Sequence, residues 1–392
     1  MKITGWRTLK ALHNWGRPIG DINGSLISGV TEIRFLVLET DEGICGIAPG
    51  GHADIERIFP AIEGEDPRAV TALYDRMLSW VFKSGHAGSV FGAIGVVDMA
   101  LWDLKAKIAN EPLWRHLGAR QAFVPGYASG LDYPLSLDEL VALHQRFAER
   151  GFTAFKLKGG LDVEQDLERL LAVRDVYRRN TAAPSVMIDV NESMSAKQAV
   201  RYVSRLERAL DLSWIEEPVR RWDAAGHAAV RQQVHCAVAT GENLTGIEQF
   251  EPLIRERAVD VLQAGMCWGI THFLRVANLA QAFSLPVSPV GYNTNPVAHA
   301  AAAIANHLSC EVQDLTFPTG VSVDQRIENG GIVLGNAPGL GISLDEAALA
   351  KPHAEGSWTV AQGPHVRPER AGLRLSLRTT ENDTLRSGAD KK

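Results

Sequence analysis

Lys156 and Lys158 lie at the end of an apolar run, AFKLKGG at residues 154–160, whose composition predicts a buried strand. Because side chains alternate along a strand, the two ammonium groups are expected to lie side by side on one face. Each charge then disfavours the other and lowers its pKa, and a lysine that approaches neutrality can act as a general base. Two surface lysines at a strand end would give the same short pattern, so the interpretation depends on the chain downstream.

Three acidic residues occupy equivalent places in the next three apolar runs. Asp189, Glu216 and Glu242 end these runs at separations of 27 and 26 residues, the length of one strand–helix unit. Carboxylates that converge repel one another unless a cation neutralises them, and Mg²⁺ prefers oxygen ligands and keeps positions open for water or substrate. Three unrelated solvated acids would require the same coincidence three times. The spacing therefore predicts a magnesium site.

Such a site needs a scaffold that brings successive strand ends together. From about residue 124 the chain alternates helical segments with eight short apolar runs: 124–130, 152–158, 185–191, 212–218, 236–242, 259–264, 285–290 and 308–315. Eight strands with helical crossovers are typical of a parallel (β/α)8 barrel, whose C-terminal strand ends form the active-site face.

The remaining segments divide around this barrel. Residues 1–120 predict an α+β domain, with a hairpin over 31–40 and 43–51 and a long helix at 89–110. The barrel is assigned to 121–315, and 316–377 is expected to return to the first domain. Residues 378–392 are polar and charged, which predicts a mobile tail.

Composition limits the classes of partner. The net charge of −6 carries no basic footprint, so nucleic acid is not expected as a partner. No apolar run approaches the roughly 20 residues that span a membrane, and the N-terminus has no apolar core typical of a secretory signal. The four cysteines are far apart and follow no CxxC spacing, so neither a disulfide framework nor a zinc site is indicated. A reducing cytoplasm is the expected compartment.

Six stretches carry a resemblance to a known family: VVDMALWDLKAK, FKLK, MIDVNES, WIEEPV, ATGEN and PGLGISLD. In this order and spacing they resemble the mandelate racemase/muconate lactonizing enzyme branch of the enolase superfamily, over almost the whole chain to about residue 350. The resemblance implies a (β/α)7β TIM-like barrel with an α+β N-terminal capping domain, and it implies a homo-oligomer. It also implies chemistry in which a base removes the α-proton of a carboxylate substrate through an enediolate.

The resemblance also implies roles for individual residues. Mg²⁺ would be held by Asp189, Glu216 and Glu242, with Asn191 beside it. Lys158 matches the catalytic base and Lys156 the lysine that tunes it. Glu311, at the end of the eighth strand, matches a position that hydrogen-bonds a substrate carboxylate oxygen and would need a protonated or proton-sharing carboxyl. A purely structural acid is the alternative for Glu311.

The sequence departs from the family pattern on the side opposite Lys158. Many members with a lysine on the second strand carry Asp at the end of the sixth strand and His at the end of the seventh. Here AGMCWGIT lacks the Asp, Val290 stands where the His would be, and the sixth strand carries no lysine. A symmetric two-base racemase is therefore disfavoured.

Three other residues are candidates to complete the pocket. Tyr292 and Asn293 follow Val290 after one glycine, and a tyrosine hydroxyl can act as a general acid. His52 lies in a predicted capping loop, as a substrate contact or as a plain surface residue.

With one clear base, the sequence predicts an Mg²⁺-dependent lyase that dehydrates an acid sugar. The alternatives are a cycloisomerase or epimerase of the same superfamily, and a non-catalytic protein that binds metal and carboxylate.

Overall fold

The fold begins with an antiparallel sheet covered by helices. The computed structural model describes residues 1–50, 54–291 and 296–356. The first unit contains β1 (Ile3–Asn14), β2 (Ile19–Asp21), β3 (Gly24–Leu26), β4 (Val30–Thr40), β5 (Gly46–Pro49), α1 (Ile55–Ile58), α2 (Val70–Trp80), α3 (Gly88–Ile108) and α4 (Leu113–His116). Strands pair in the order β1–β4–β5, so the predicted hairpin is present, and β2 pairs with β3. Helix α3 is buried along most of its length and packs on β5.

Eight parallel strands follow, joined by seven helices. The strands are β6 (Phe123–Ser129), β7 (Ala154–Lys158), β8 (Ser185–Asp189), β9 (Leu212–Glu216), β10 (Ala237–Thr240), β11 (Val261–Gly265), β12 (Val287–Val290) and β13 (Cys310–Val312). The helices are α5 (Leu137–Glu149), α6 (Val163–Tyr177), α7 (Ala196–Leu206), α8 (Ala224–Arg231), α9 (Glu251–Arg255), α10 (Ile270–Ala282) and α11 (Val297–Ala301). All eight predicted runs contain a strand.

The strands close into a barrel. Neighbours run in chain order from β6 to β12, and β13 pairs with β6. On the other side Leu308 N donates to Val287 O at 2.9 Å and Ser288 Oγ donates to Ser309 O at 2.8 Å. Because the described residues that follow β13 add no further helix to the barrel, the architecture is the predicted (β/α)7β barrel with an α+β N-terminal capping domain.

Local sequence sets where the barrel helices begin. Ser136 and Glu139 form a capping box at the start of α5, and Ser195 and Gln198 form another at α7. Each box satisfies backbone N–H groups that have no partner inside the helix. Strands β7 and β8 are buried on both faces because helices cover the outside of a parallel sheet.

The segment after the barrel contacts both units. It contains β14 (Val321–Val323), β15 (Gln325–Glu328), β16 (Gly331–Leu334), β17 (Ile342–Leu344) and α12 (Glu346–Glu355). Strand β16, within the predicted run 330–335, pairs with β6 of the barrel, whereas α12 packs on β1 of the first unit. Of the segment predicted for 316–377, the described part, 316–356, therefore contacts the barrel as well as the capping domain. The predicted tail at 378–392 lies outside the described residues.

Helix α3 also ties the capping unit to the barrel. Asp98 accepts hydrogen bonds from the backbone N and the hydroxyl of Thr271 in α10, and Trp102 Nε1 donates to Thr271 Oγ1 at 2.9 Å. Within the described ranges, no helix combines the length and apolar character required to cross a bilayer.

Candidate active site

Strand register brings the second lysine and two of the acids into one row. In the ladders of the barrel, Lys158 is the partner of Asp189, and Asp189 is the partner of Glu216. These residues end three neighbouring strands, β7, β8 and β9. The predicted equivalence of the strand ends is therefore present for Asp189 and Glu216, whereas Glu242 follows the end of β10 and Ala239 is the register partner of Glu216.

Backbone geometry after these strands turns the chain sharply. Gly160 has a φ of +113°, and a Cβ atom there would lie 2.9 Å from the Cβ of Val190. Asn191 and Glu217 adopt φ values of +43° and +45°, which are uncommon for residues other than glycine. Such conformations cluster at functional sites, where the surrounding structure maintains them.

Both lysines are buried and paired with the acids. The Nζ of Lys158 donates to Asp189 Oδ2, and the Nζ of Lys156 donates to Glu216 Oε1. Lys156 Nζ also lies 3.0 Å from Glu311 Oε1 and 3.9 Å from Asp189 Oδ2. The structure thus brings together Lys156, Lys158, Asp189, Glu216 and Glu311, whose exposed fractions are 5% or less.

The lysine pKa values differ from the sequence expectation. Burial lowers the pKa of Lys158, as does its neighbour Lys156, but Asp189 and other carboxylates outweigh both and raise the pKa overall. Burial also lowers the pKa of Lys156, but nearby carboxylates, chiefly Glu216 and Glu311, raise that pKa overall. The expected mutual repulsion of the lysines is present for Lys158. It is outweighed because each ammonium group contacts a carboxylate directly, Lys158 that of Asp189 and Lys156 that of Glu216.

In two of the three acids, the neighbouring groups stabilise the ionised carboxylate incompletely. Burial, together with repulsion from nearby carboxylates, raises the pKa of Glu216 to about 7 and that of Glu242 to about 8. Glu242 Oε1 accepts a hydrogen bond from Asn243 Nδ2 at 3.2 Å. An all-oxygen donor set with uncompensated negative charge is what a hard divalent cation requires.

The acids are not, however, a ready-made metal cage. Among the described residues, no three acidic, histidine or cysteine side chains are arranged to hold an ion directly. The lysine ammonium groups lie against Asp189 and Glu216 instead. Asp189, Glu216 and Glu242 fit Mg²⁺ by donor chemistry and by their place on adjacent strand ends, and binding would exchange these ion pairs for metal contacts.

Several residues that orient the acids were not predicted from the sequence. Glu216 Oε2 accepts hydrogen bonds from Gln263 Nε2 at 2.8 Å and from Trp214 Nε1 at 3.1 Å. Asn243 Nδ2 reaches both Glu242 and Glu217, the latter at 2.8 Å. Gln263 could have been found from the sequence because it is a polar residue inside the apolar run VDVLQAG. The alternation of side chains along that strand would place it on the face that points into the barrel.

Asn191, which was predicted to lie beside the metal, hydrogen-bonds to Asp189, a candidate metal ligand. Asn191 donates from its backbone N to Asp189 Oδ1 at 2.8 Å and from Nδ2 to Asp189 Oδ2 at 3.1 Å. These bonds fix the orientation of the carboxylate.

Glu311 is held as the partner of Lys156. Its Oε2 accepts hydrogen bonds from Gln313 Nε2 at 2.9 Å and from Gly291 N at 3.2 Å. Although burial opposes ionisation, Lys156 and Lys158 lower the pKa of Glu311 overall. This arrangement favours an ionised carboxylate. The predicted hydrogen bond to a substrate carboxylate remains a prediction.

The side of the barrel opposite Lys158 is only partly described. A short turn, Met266–Trp268, follows β11, and Trp268 Nε1 donates to the backbone O of Glu242 at 2.6 Å. Val290 is buried at the end of β12. Tyr292, Asn293 and His52 lie outside the described residues, so their predicted roles remain predictions.

Comparisons with known proteins agree with this architecture. Residues 28–118 match the N-terminal domain of the mandelate racemase/muconate lactonizing enzyme family, and residues 139–348 match the enolase C-terminal domain-like family. The fold and the row of strand-end residues define a barrel enzyme of the enolase type. The chain belongs to the enolase superfamily, in its mandelate racemase/muconate lactonizing enzyme branch.

Similar proteins act on sugar acids. The chain is 30% identical over 294 residues to a 3,6-anhydro-α-L-galactonate cycloisomerase of Streptomyces coelicolor, covering 74% of this chain and 79% of the relative. It is 31% identical over 342 residues to an L-talarate/galactarate dehydratase of Salmonella typhimurium, covering 81% and 82%. Among solved structures, an L-talarate dehydratase from Polaromonas sp. JS666 in complex with Mg and L-glucarate gives a TM-score of 0.77 at 30% identity, covering 89% of this chain and 96% of that one.

Proposed function

We propose that this protein is an Mg²⁺-dependent enzyme that removes the α-proton of a sugar acid and eliminates water from it. The observation that carries the proposal is the row formed by Lys158, Asp189 and Glu216 on neighbouring strand ends. Similarity to dehydratases of sugar acids supports the substrate class.

The residues of the row and their neighbours at the strand ends have distinct roles in this proposal. Once its ion pair with Asp189 is broken, Lys158 can lose a proton and, as a neutral amine, accept the α-proton at Nζ. The electron pair of the broken C–H bond then moves into the substrate carboxylate. Lys156, between Glu216 and Glu311, places positive charge beside Lys158. Asp189, Glu216 and Glu242 would hold Mg²⁺, which supplies positive charge where negative charge develops on the substrate.

The elimination also needs an acid for the leaving hydroxyl. The β-hydroxyl departs as water with a proton from a group on the side opposite Lys158, and the resulting enol becomes a 2-keto-3-deoxy acid. Tyr292 is our candidate for this acid, with Asn293 and His52 as candidate substrate contacts. The chain lacks the Asp and His that many family members carry at the ends of the sixth and seventh strands. The proposed reaction therefore uses no second strong base.

Cycloisomerisation is the second candidate reaction. It is favoured by the 30% identity to the Streptomyces coelicolor cycloisomerase, and it begins with the same removal of an α-proton. The two reactions differ in product, because dehydration releases water from an open-chain acid whereas cycloisomerisation conserves mass.

Product analysis separates these candidates. The protein with Mg²⁺ would be incubated with a library of aldonic, aldaric and anhydro sugar acids and lactones, and products followed by NMR and mass spectrometry. A 2-keto-3-deoxy product supports the dehydratase, a ring-opened or ring-closed product of unchanged mass supports the cycloisomerase, and an inverted centre without any ring change indicates an epimerase. Mg²⁺ binding without any reaction across the library would contradict both and favour a carboxylate-binding protein.

We also propose that the enzyme works in the cytoplasm as a homo-oligomer. Cys45, Cys236 and Cys267 are free thiols, which suits a reducing compartment. Trp80 and Phe82, near the end of α2, are 56% and 66% exposed and are candidates for a subunit interface. Light scattering of the purified protein would give the mass in solution. A monomeric mass would contradict the oligomer.

A further inference from the structure

The backbone of Lys158 is held by one buried ion pair. Its N–H donates to Asp132 Oδ1 at 3.1 Å, and its carbonyl O accepts from Arg169 Nη1 at 2.9 Å. Arg169 Nη2 in turn donates to Asp132 O at 3.0 Å and Oδ1 at 3.2 Å. We call this arrangement of Asp132 and Arg169 the lysine clamp. The clamp fixes both the backbone N–H and the carbonyl O of Lys158, whose side chain pairs with Asp189.

Stability alone is a weak reason for such a clamp. Asp132 is fully buried and Arg169 is 6% exposed, and taking two charges out of water costs about as much as their attraction returns. The pair does provide directionality, because a guanidinium has a rigid fork of donors. Here that fork reaches Lys158 and Asp132 at once.

The loop that carries Asp132 is itself anchored to the capping unit. Gly20, in β2, donates from its backbone N to Leu131 O at 2.8 Å, and its O accepts from Tyr133 N at 3.4 Å. Arg169 lies over the ring of Tyr133, with its Cζ 5.6 Å from the ring centroid. The loop is therefore fixed on both sides of Asp132, and a capping strand is joined through it to the end of β7.

We propose that Asp132 and Arg169 are positioning residues that aim Lys158 at the α-carbon of the substrate. This inference rests on the proposed function, in which Lys158 is the base. A lysine side chain has four rotatable bonds, so the place of its Nζ depends on how firmly its backbone is held. Misplacement of a reacting group by about 1 Å can cost on the order of 100-fold in rate.

The chain offers a matched control at the other end of the barrel. Asp260, just before β11, accepts from Val238 N at 3.0 Å and is paired with Arg231 Nε at 2.7 Å. It therefore combines the same elements, an aspartate, an arginine and a strand N–H, far from the strand ends that carry the acids. Asp260→Ala tests the effect of losing such a pair without touching Lys158.

The experiment compares Asp132→Ala, Arg169→Met and Asp260→Ala in the full-length protein with Mg²⁺. Both clamp variants are expected to lower kcat for α-proton removal on the order of 10- to 100-fold, with KM and Mg²⁺ affinity within about twofold of wild type. The primary deuterium isotope effect on kcat is expected to rise or remain at its full value as proton removal limits turnover. The double variant should lose little more than either single variant, because both act through one residue.

A second variant covers the case in which Asp132→Ala fails to fold. Asp132→Asn keeps an oxygen acceptor for the Lys158 N–H but removes the charge that faces Arg169, so its loss in kcat should be smaller. A clamp variant that loses no more activity than Asp260→Ala, or that loses Mg²⁺ affinity instead of kcat, would overturn the proposal.

Amide hydrogen exchange separates this inference from the proposed function. Exchange of the Lys158 N–H, followed in the peptide that spans 154–160, should accelerate in Asp132→Ala and Arg169→Met but not in Asp260→Ala. Unchanged exchange would overturn the clamp even in an active enzyme. A different result is faster exchange in both clamp variants together with a wild-type protein that processes no sugar acid. That result would support the clamp and contradict the role of Lys158 as a base.

Discussion

Gln263 offers a test of whether the acids at the strand ends form the metal site. It is fully buried and donates to Glu216 Oε2 at 2.8 Å, so Gln263→Met removes one of the two donors that orient this oxygen. Groups that orient metal ligands typically contribute 10- to 100-fold to metal affinity. We therefore expect Mg²⁺ affinity to fall by roughly that factor, which is about 1.4 to 2.8 kcal/mol.

The same substitution should have little effect on folding. Gln263 Oε1 has no hydrogen-bond partner among the described residues, and methionine has a similar volume. A volume-conserving change in a core usually alters the free energy of unfolding by less than about 1.5 kcal/mol. Loss of affinity without loss of stability is thus the specific expectation.

Isothermal titration with Mg²⁺ at fixed pH and ionic strength is the assay. Gln198→Met serves as the control, because Gln198 is buried but hydrogen-bonds to Ser195 rather than to a strand-end acid. Unchanged Mg²⁺ affinity in Gln263→Met, or an equal loss in Gln198→Met, would refute the assignment of Glu216 as a ligand.

Two further substitutions test the folding of the capping unit and of the barrel. Burial raises the pKa of Asp98 to about 7, so the folded chain binds this proton more tightly than the unfolded chain, and this contribution to stability is lost as pH rises from about 4 to about 7. Asp98→Asn should flatten that part of the pH profile in denaturation measurements, and an unaltered profile would contradict the cause we give. Ser136→Ala removes the capping box of α5 and should cost about 1 kcal/mol in free energy of unfolding, whereas Ser136→Thr should cost less. Equal stability of both variants would contradict the capping role.

The fold could be predicted because its signals are local. The alternation of apolar runs and helical segments gave all eight barrel strands, and the spacing of Asp189, Glu216 and Glu242 located the face on which they lie. Each of these signals depends on a short stretch of chain, where side-chain periodicity follows directly from backbone geometry.

The residues that hold the site together were harder to predict. Asp132 contacts Lys158 and Arg169, which lie 26 and 37 positions further along the chain, and Gln263 lies 47 positions from Glu216. Such contacts depend on how strands and loops meet in space, which no local pattern encodes. Asp132 lies three residues past the end of β6, close to the place that the acids occupy on their strands.

The lysine pKa shows a second limit of sequence reasoning. The pattern FKLK indicated correctly that two ammonium groups are neighbours, but their net pKa shift depends on carboxylates contributed by three other strands. A prediction from one strand could not weigh those contributions, because their distances are set by the closed barrel.

The most direct test of the account is exchange of the substrate α-proton in D₂O. Wild-type protein, Lys158→Ala and Lys107→Ala would be incubated with Mg²⁺ and a sugar acid that the wild type processes. Lys107 is a suitable control because it is also paired with a buried acid, Asp103 at 2.6 Å, but lies in the capping unit. We expect exchange in wild type and Lys107→Ala and none in Lys158→Ala, with Mg²⁺ binding retained in all three. Exchange of the α-proton that persists in Lys158→Ala would show that Lys158 is not the base.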